Sequence, residues 1–128
     1  MTTLLAILIG GCAGAVARYL AFSSLQDRAD TRFPVGILAV NLSGAFVLGL
    51  LHGLRVDGSW PHWLAAGVQV GIIGAYTTYS TWAVDSLSLA RDGAPWAATV
   101  NLTGSLLAGV LLVWAGDSLG AALNSPVR

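Results

Sequence analysis

Lysine and glutamate are absent from this chain, and cysteine occurs once. The charges are six arginines and six aspartates, 9% of 128 residues, where a soluble domain carries about 25%. Their sum is zero, so the chain offers no field for a polyanion and no nucleic-acid partner is expected. A single cysteine excludes an intrachain disulfide, and Cys12, in an apolar glycine-rich stretch, reads as a small packing residue. His52, His62 and Cys12 do not stand at metal-ligand spacing. There is no nucleophile–base arrangement and no phosphate loop, so an enzyme is not expected.

What is present is apolar. Hydrophobic residues make up 55% of the chain, and the mean hydropathy is +0.74. Four segments, residues 3–22, 34–54, 61–89 and 95–116, are each long enough to cross the roughly 30 Å hydrocarbon core as a helix. Three begin at a proline (34, 61 and 95), the first-turn position where the missing N–H costs nothing. The connections hold most of the charge: Asp27, Arg28, Asp30 and Arg32, then Arg55 and Asp57, then Arg91 and Asp92. Trp60, Trp63, Trp96 and Trp114 fall near segment ends, as interfacial anchors do. The first segment lacks a basic leader and runs on to about Phe22, so it reads as a span and not as a cleavable signal. Residues 117–128 read as a short polar tail. The expectation is an all-α membrane protein, one four-helix transmembrane domain over residues 1–128.

The third segment is the unusual one. From Gly71 to Trp82 it reads Gly-Ile-Ile-Gly-Ala-Tyr-Thr-Thr-Tyr-Ser-Thr-Trp. Glycine is flexible and adjacent hydroxyls compete for backbone partners, so this run propagates a helix poorly. In lipid a weakened helix is tolerated only against protein or a water-filled cavity. A break there frees carbonyls and gathers hydroxyls at mid-membrane depth, an arrangement that handles small ions. The segment is also longer than a straight span needs, consistent with a break near its middle.

Orientation signals nearly cancel. The amino terminus, Arg55 and Arg128 fall on one side; Arg28, Arg32 and Arg91 fall on the other, with Arg18 near that end of the first helix. The positive-inside rule needs an excess on one side. Insertion in both orientations, giving an antiparallel dimer, and a plain weak signal from a charge-poor chain both fit.

Gly10/Gly14, Gly49/Gly53 and Gly67/Gly71 are GxxxG pairs, and Gly104/Ala108 is small-xxx-small, spacings that let helices approach closely. Asn41-Leu42-Ser43-Gly44 with Gly49 is echoed by Asn101-Leu102-Thr103-Gly104 with Gly109. Arg18 is the only basic residue inside a span; it either snorkels to the headgroups or attracts anions into an aqueous vestibule. Asn41 can donate to an anion or glue helices. Ser105 and Thr103 can do the same or back-bond to their own helix. Tyr76, Tyr79 and Trp82 recur every third residue on roughly one helical face, either as packing or as an anion path lined by electropositive ring edges. Asp85, about a turn from the end of the third segment, can cap, pair with an arginine or face water.

The ordered set Gly10-Gly11, Gly14-Ala15, Arg18-Tyr19, then Gly36, Val40-Asn41, Gly44 and Gly49, then Gly71 to Trp82 with Asp85, then Ser105 with Gly109 resembles the Fluc (CrcB-type) fluoride channels across nearly the whole chain. The resemblance implies an antiparallel dual-topology dimer of four-helix subunits with two fluoride pores between them. It also implies a structural Na+ at the dimer centre, held by the backbone carbonyls of Gly74 and Thr77. The fluoride path it implies runs by Asn41, Tyr79, Thr81, Trp82 and Ser105, with Arg18 at the approach. The family's two pore phenylalanines, in a Thr-Thr-Phe-Ser-Thr-Phe run, fall on Tyr79 and Trp82, and its fourth-helix Tyr-then-Ser track falls on Asn101 and Ser105. A glutamate common after the third-helix run is replaced by Asp85.

The leading expectation is passive fluoride export across the inner (plasma) membrane of a prokaryote, relieving fluoride toxicity, by a homodimer or alternatively by a heterodimer with a paralogous subunit. A small proton-coupled multidrug transporter is the competing class. It needs a membrane-central carboxylate, and this chain has no glutamate and only a peripheral Asp85.

Overall fold

Backbone polar groups in hydrocarbon must be satisfied within their own segment, so an apolar chain of this kind folds as helix. The computed structural model describes residues 1–29 and 31–125, and its regular structure there is entirely helical. Asp30 and Arg128, which enter the charge count above, lie outside the described residues. In chain order the elements are α1 (Thr2–Ala29), α2 (Val35–Gly53), α3 (Val56–Ser59) and α4 (His62–Ala66). A π-helical stretch, π1 (Gly67–Ile73), leads into α5 (Gly74–Tyr76), and α6 (Tyr79–Arg91) follows. The last run is α7 (Pro95–Thr99), a second π stretch, π2 (Val100–Gly104), and α8 (Ser105–Asn124). Three helical runs are long and apolar enough to cross a membrane: Thr2–Ala29, Val35–Gly53 and Pro95–Asn124.

Two boundaries differ from the sequence expectation. α1 continues seven residues past Phe22 to Ala29, and the expected tail is helical from Asp117 to Asn124. Hydropathy marks where lipid ends, whereas a helix continues wherever its backbone stays paired. Past Phe22, Ser23 Oγ donates to Tyr19 O at 2.8 Å and Ser24 Oγ to Ala21 O at 3.2 Å, both within the helix. Gln26 then closes the connection to α2: its Nε2 donates to Thr31 O (2.9 Å) and Phe33 O (3.2 Å), and its Oε1 accepts from Gly36 N (3.0 Å). Beyond Gly116, Asp117 Oδ1 meets His52 Nδ1 at 2.8 Å, tying α8 to the last turn of α2.

Glycine faces carry the packing. Gly49 and Gly53 of α2 lie against Gly116 and Gly120 of α8; a Cβ on Gly116 would sit 2.8 Å from Leu50 N, and one on Gly53 2.7 Å from Ala121 N. Gly10 and Gly14 of α1 receive π1 in the same way, with a Cβ on Gly14 only 2.9 Å from the Ile72 carbonyl carbon and one on Gly71 2.8 Å from Ile7 O. All three expected GxxxG pairs are therefore contacts. Gly116/Gly120 is a fourth, hidden from the sequence by the early end assigned to the last span. Among the described residues Gly104 meets only its own helix, so it does not pack the chain's other helices. The buried core is small, including Ile37, Val40, Ile73 and Trp82, while Ile9 and Val110 stand 70% exposed. Such a distribution suits a chain whose outer faces meet lipid.

Candidate functional site

The helix stops at Tyr76 because the next two residues are extended: Thr77 has φ −79°, ψ 159° and Thr78 φ −148°, ψ 125°. α6 restarts at Tyr79 with Thr78 as its cap, Oγ1 accepting from Thr81 N at 3.4 Å. The interruption thus lies inside the run expected to break, at its two adjacent threonines. Two extended residues leave backbone groups without helical partners, and other elements supply them. Asn41 of α2 forms a two-way amide pair with Thr78: Nδ2 donates to Thr78 O at 2.9 Å, and Thr78 N donates to Asn41 Oδ1 at 2.8 Å. Arg18 Nη1 of α1 donates to Thr77 O at 3.4 Å. Thr77 Oγ1 returns to Ile73 O at 3.0 Å. Gly44 makes room for the break, since a Cβ there would strike Thr77 Cγ2. Ser43 Oγ and Tyr76 OH share a hydrogen bond of 3.0 Å.

Beside the break runs an open cavity of about 790 Å³ between α2, α6 and α8. Asn41, Thr77, Thr78, Tyr79, Trp82 and Ser105 line one part; apolar residues continue it along α2 and α8 to His52 and Asp117. Tyr79 is 77% exposed, and its hydroxyl has no partner among the described residues. Its ring is tilted 50° to that of Trp82, with centroids 5.1 Å apart. Trp82 is nearly buried, and its Nε1 donates to Asn101 O at 3.0 Å. Ser105 Oγ donates to the same carbonyl. Behind them Asn101 Nδ2 donates to Ser86 Oγ (2.8 Å), which donates to Trp82 O (2.8 Å). Asn101 is 1% exposed and its Oδ1 has no partner among the described residues.

The residues expected on an ion path therefore divide. Asn41, Tyr79, Trp82 and Ser105 share one cavity, and Thr81 adjoins it with its Oγ1 3.2 Å from Thr78 Oγ1. Arg18 does not line that cavity; it reaches the break from α1. The single aromatic face through Tyr76, Tyr79 and Trp82 is not formed. Helical periodicity lapses at the break, so Tyr76 ends one helix on Ser43, while Tyr79 and the more buried Trp82 lie against each other on the next and line the cavity together. Ser105 and Thr103 both back-bond, Thr103 Oγ1 to Thr99 O at 2.7 Å. The echoed asparagines both bind the third segment, Asn41 at the break and Asn101 at Ser86, yet the glycines of the echo differ, for Gly109 faces open space while Gly49 is packed. Ser86 had no sequence signal beyond being polar among apolar neighbours. Asp85 lines a separate cleft of about 460 Å³ with Gln26, Arg32, Ser88 and Asp92.

The chemistry of the break suits a hard monovalent cation. Gly74 is exposed, and a Cβ there would meet only Gln69 O at 3.8 Å, so its backbone is open to approach. The Thr77 carbonyl already attracts a cation, the Arg18 guanidinium. Neutral carbonyls of unwound helices are the oxygen ligands that Na+ takes in membrane proteins. No group of three His, Cys, Asp or Glu that could hold a metal occurs among the described residues.

Residues 5–117 match the family described as CrcB-like protein, Camphor Resistance (CrcB). The fluoride-specific ion channel FluC of Solibacter usitatus is 39% identical over 117 residues, covering 90% of this chain and 95% of that protein. FluC 1 of Frankia casuarinae is 40% identical over 128 residues, 96% of each chain. FluC 1 of Symbiobacterium thermophilum is 45% identical over 121 residues, 89% of this chain and 95% of that one.

Proposed function

The chain belongs to the CrcB-like family, a family of ion channels and not of enzymes, and from that premise we propose that it conducts fluoride passively out of a prokaryotic cell across the inner membrane. The observation that carries the reading is the gathering of neutral donors beside a helix break, with no lysine, glutamate or buried carboxylate among them. Fluoride is small and strongly hydrated, and a path that releases it must replace that shell without a charge that traps it. Tyr79 OH is free to donate, and Asn41 keeps a second N–H beyond the one on Thr78. The Trp82 ring adds an electropositive edge. HF crosses membranes uncharged and ionises inside, so export needs only a path for the anion and no coupling group.

The rest of the reading concerns assembly. Four spans, counting residues 62–91 as the broken third, and an antiparallel homodimer close the open cavity with a second copy. Na+ at the dimer centre draws on Gly74 and Thr77 carbonyls; one chain offers two, so a second copy completes the oxygen set. When bound it supplies a fixed positive charge at the break. The Asn41–Thr78 pair holds those carbonyls in place. A heterodimer is the second reading, favoured by Tyr79 and Trp82 standing where the resemblance puts two phenylalanines, and by relatives named FluC 1 and FluC 2.

The test is ion efflux from liposomes holding only this purified chain. Fluoride release without chloride release is expected. Comparable chloride release overturns selectivity, and no release from folded protein transfers the function to a mixed pair.

A further inference from the structure

We propose that Arg18 is a tethered cation that competes with Na+ for the Thr77 carbonyl, so that the side chain sets how tightly the break holds the ion. The inference rests on the cation reading of the break given above and goes beyond it. Arg18 is a half-buried charge within an apolar helix, and such a charge requires a partner. Among the described residues the one ion pair is His52–Asp117, so Arg18 has no carboxylate. Its partner is instead a neutral backbone oxygen made available by the extended conformation of Thr77, one residue before the Thr78 that Asn41 clamps.

The contact is 3.4 Å, at the long end for an N–H···O bond. A guanidinium held this loosely yields to a better ligand. A second cation on the same oxygen stands close to the first, and in a medium less polar than water their repulsion makes joint occupancy unfavourable. Binding is therefore linked: Na+ moves the guanidinium off Thr77 O, and the guanidinium lowers the affinity for Na+ by the same factor. The exchange needs no refolding, because Asn41 holds Thr78 whichever cation is present.

The experiment uses the full purified chain in detergent, with Na+ titrated against N-methylglucamine and thermal midpoint as the readout. Arg18→Gln should reach half-maximal stabilisation at about one tenth of the Na+ concentration that the wild type needs, within the 5–150-fold range of such couplings. Millimolar guanidinium chloride should restore the wild-type requirement. Equal half-maximal concentrations overturn the proposal, and so does the absence of any Na+ response in either protein. A second measurement needs no substitution: in wild-type protein labelled with nitrogen-15, one guanidinium signal of the six arginines should shift as Na+ is added. If no arginine signal moves, the competition does not occur. Fluoride efflux from the same preparation is scored separately. Intact flux with an unmoved Na+ requirement removes this inference alone, whereas absent wild-type flux removes the homomeric channel reading.

Discussion

Asn41 and Tyr79 face the same cavity, yet they answer different questions when changed. Asn41→Ala leaves Thr78 N–H and C=O without their amide partner, a loss of about 1–3 kcal/mol for each group left dry. Flux and thermal stability should therefore fall together, measured as liposome efflux and melting midpoint on one preparation. The Tyr79 hydroxyl has no hydrogen bond among the described residues to lose and the side chain is 77% exposed, so Tyr79→Phe should leave stability within about 0.5 kcal/mol and keep conduction. Tyr79→Ile should also stay folded but suppress flux, because both the hydroxyl and the electropositive edge are gone. Wild-type flux in Tyr79→Ile would make that ring a packing group only. Residue types at this site were readable in advance, since amides, hydroxyls and aromatics in an apolar chain announce themselves. Their directions were not. Tyr76, Tyr79 and Trp82 follow one periodicity in sequence, but the extended Thr77 and Thr78 reset the helix after Tyr76, so only Tyr79 and Trp82 stay together on the cavity.

At the scale of elements, hydropathy found the three membrane-length helices but not the helix ends or the π stretches. Nothing in Gly67–Ile73 or Val100–Gly104 announces a wider turn. The α2–α8 contact makes the clearest prediction here. A Cβ at Gly120 would lie 2.8 Å from Leu54 N, and one at Gly116 the same distance from Leu50 N, so in each case the obstacle is backbone that cannot rotate away. Gly116→Ala and Gly120→Ala should each destabilise by about 1–3 kcal/mol. Gly109→Ala meets open space and should stabilise by up to about 1 kcal/mol through helix propensity. Thermal midpoints of the three variants in detergent decide this, and a neutral Gly116→Ala would mean the helices stand farther apart than described.

For the whole molecule, the informative quantity is how much apolar surface one chain leaves uncovered: Leu4, Ile9, Leu107, Val110 and Trp114 all exceed 60% exposure. Lipid covers part of it, and the open cavity between α2 and α8 ends on a face that a second copy would close. By sequence and on the four-span reading, the amino terminus, Arg55 and Arg128 stand against Arg28, Arg32 and Arg91, with Arg18 near that end, too small a bias to fix orientation firmly. A tag at one terminus should therefore label from both sides of the membrane. A single orientation for every molecule would rule out the antiparallel homodimer and leave the mixed pair. The break also has a bearing on how such pairs arise. Its shape is held inside one chain, by Asn41 and Gly44, so two copies would meet with that region already folded and their association would be a docking of finished surfaces. After gene duplication, one copy could then lose the Tyr79 ring without losing the form its neighbour recognises. Conduction and recognition are free to evolve at different rates.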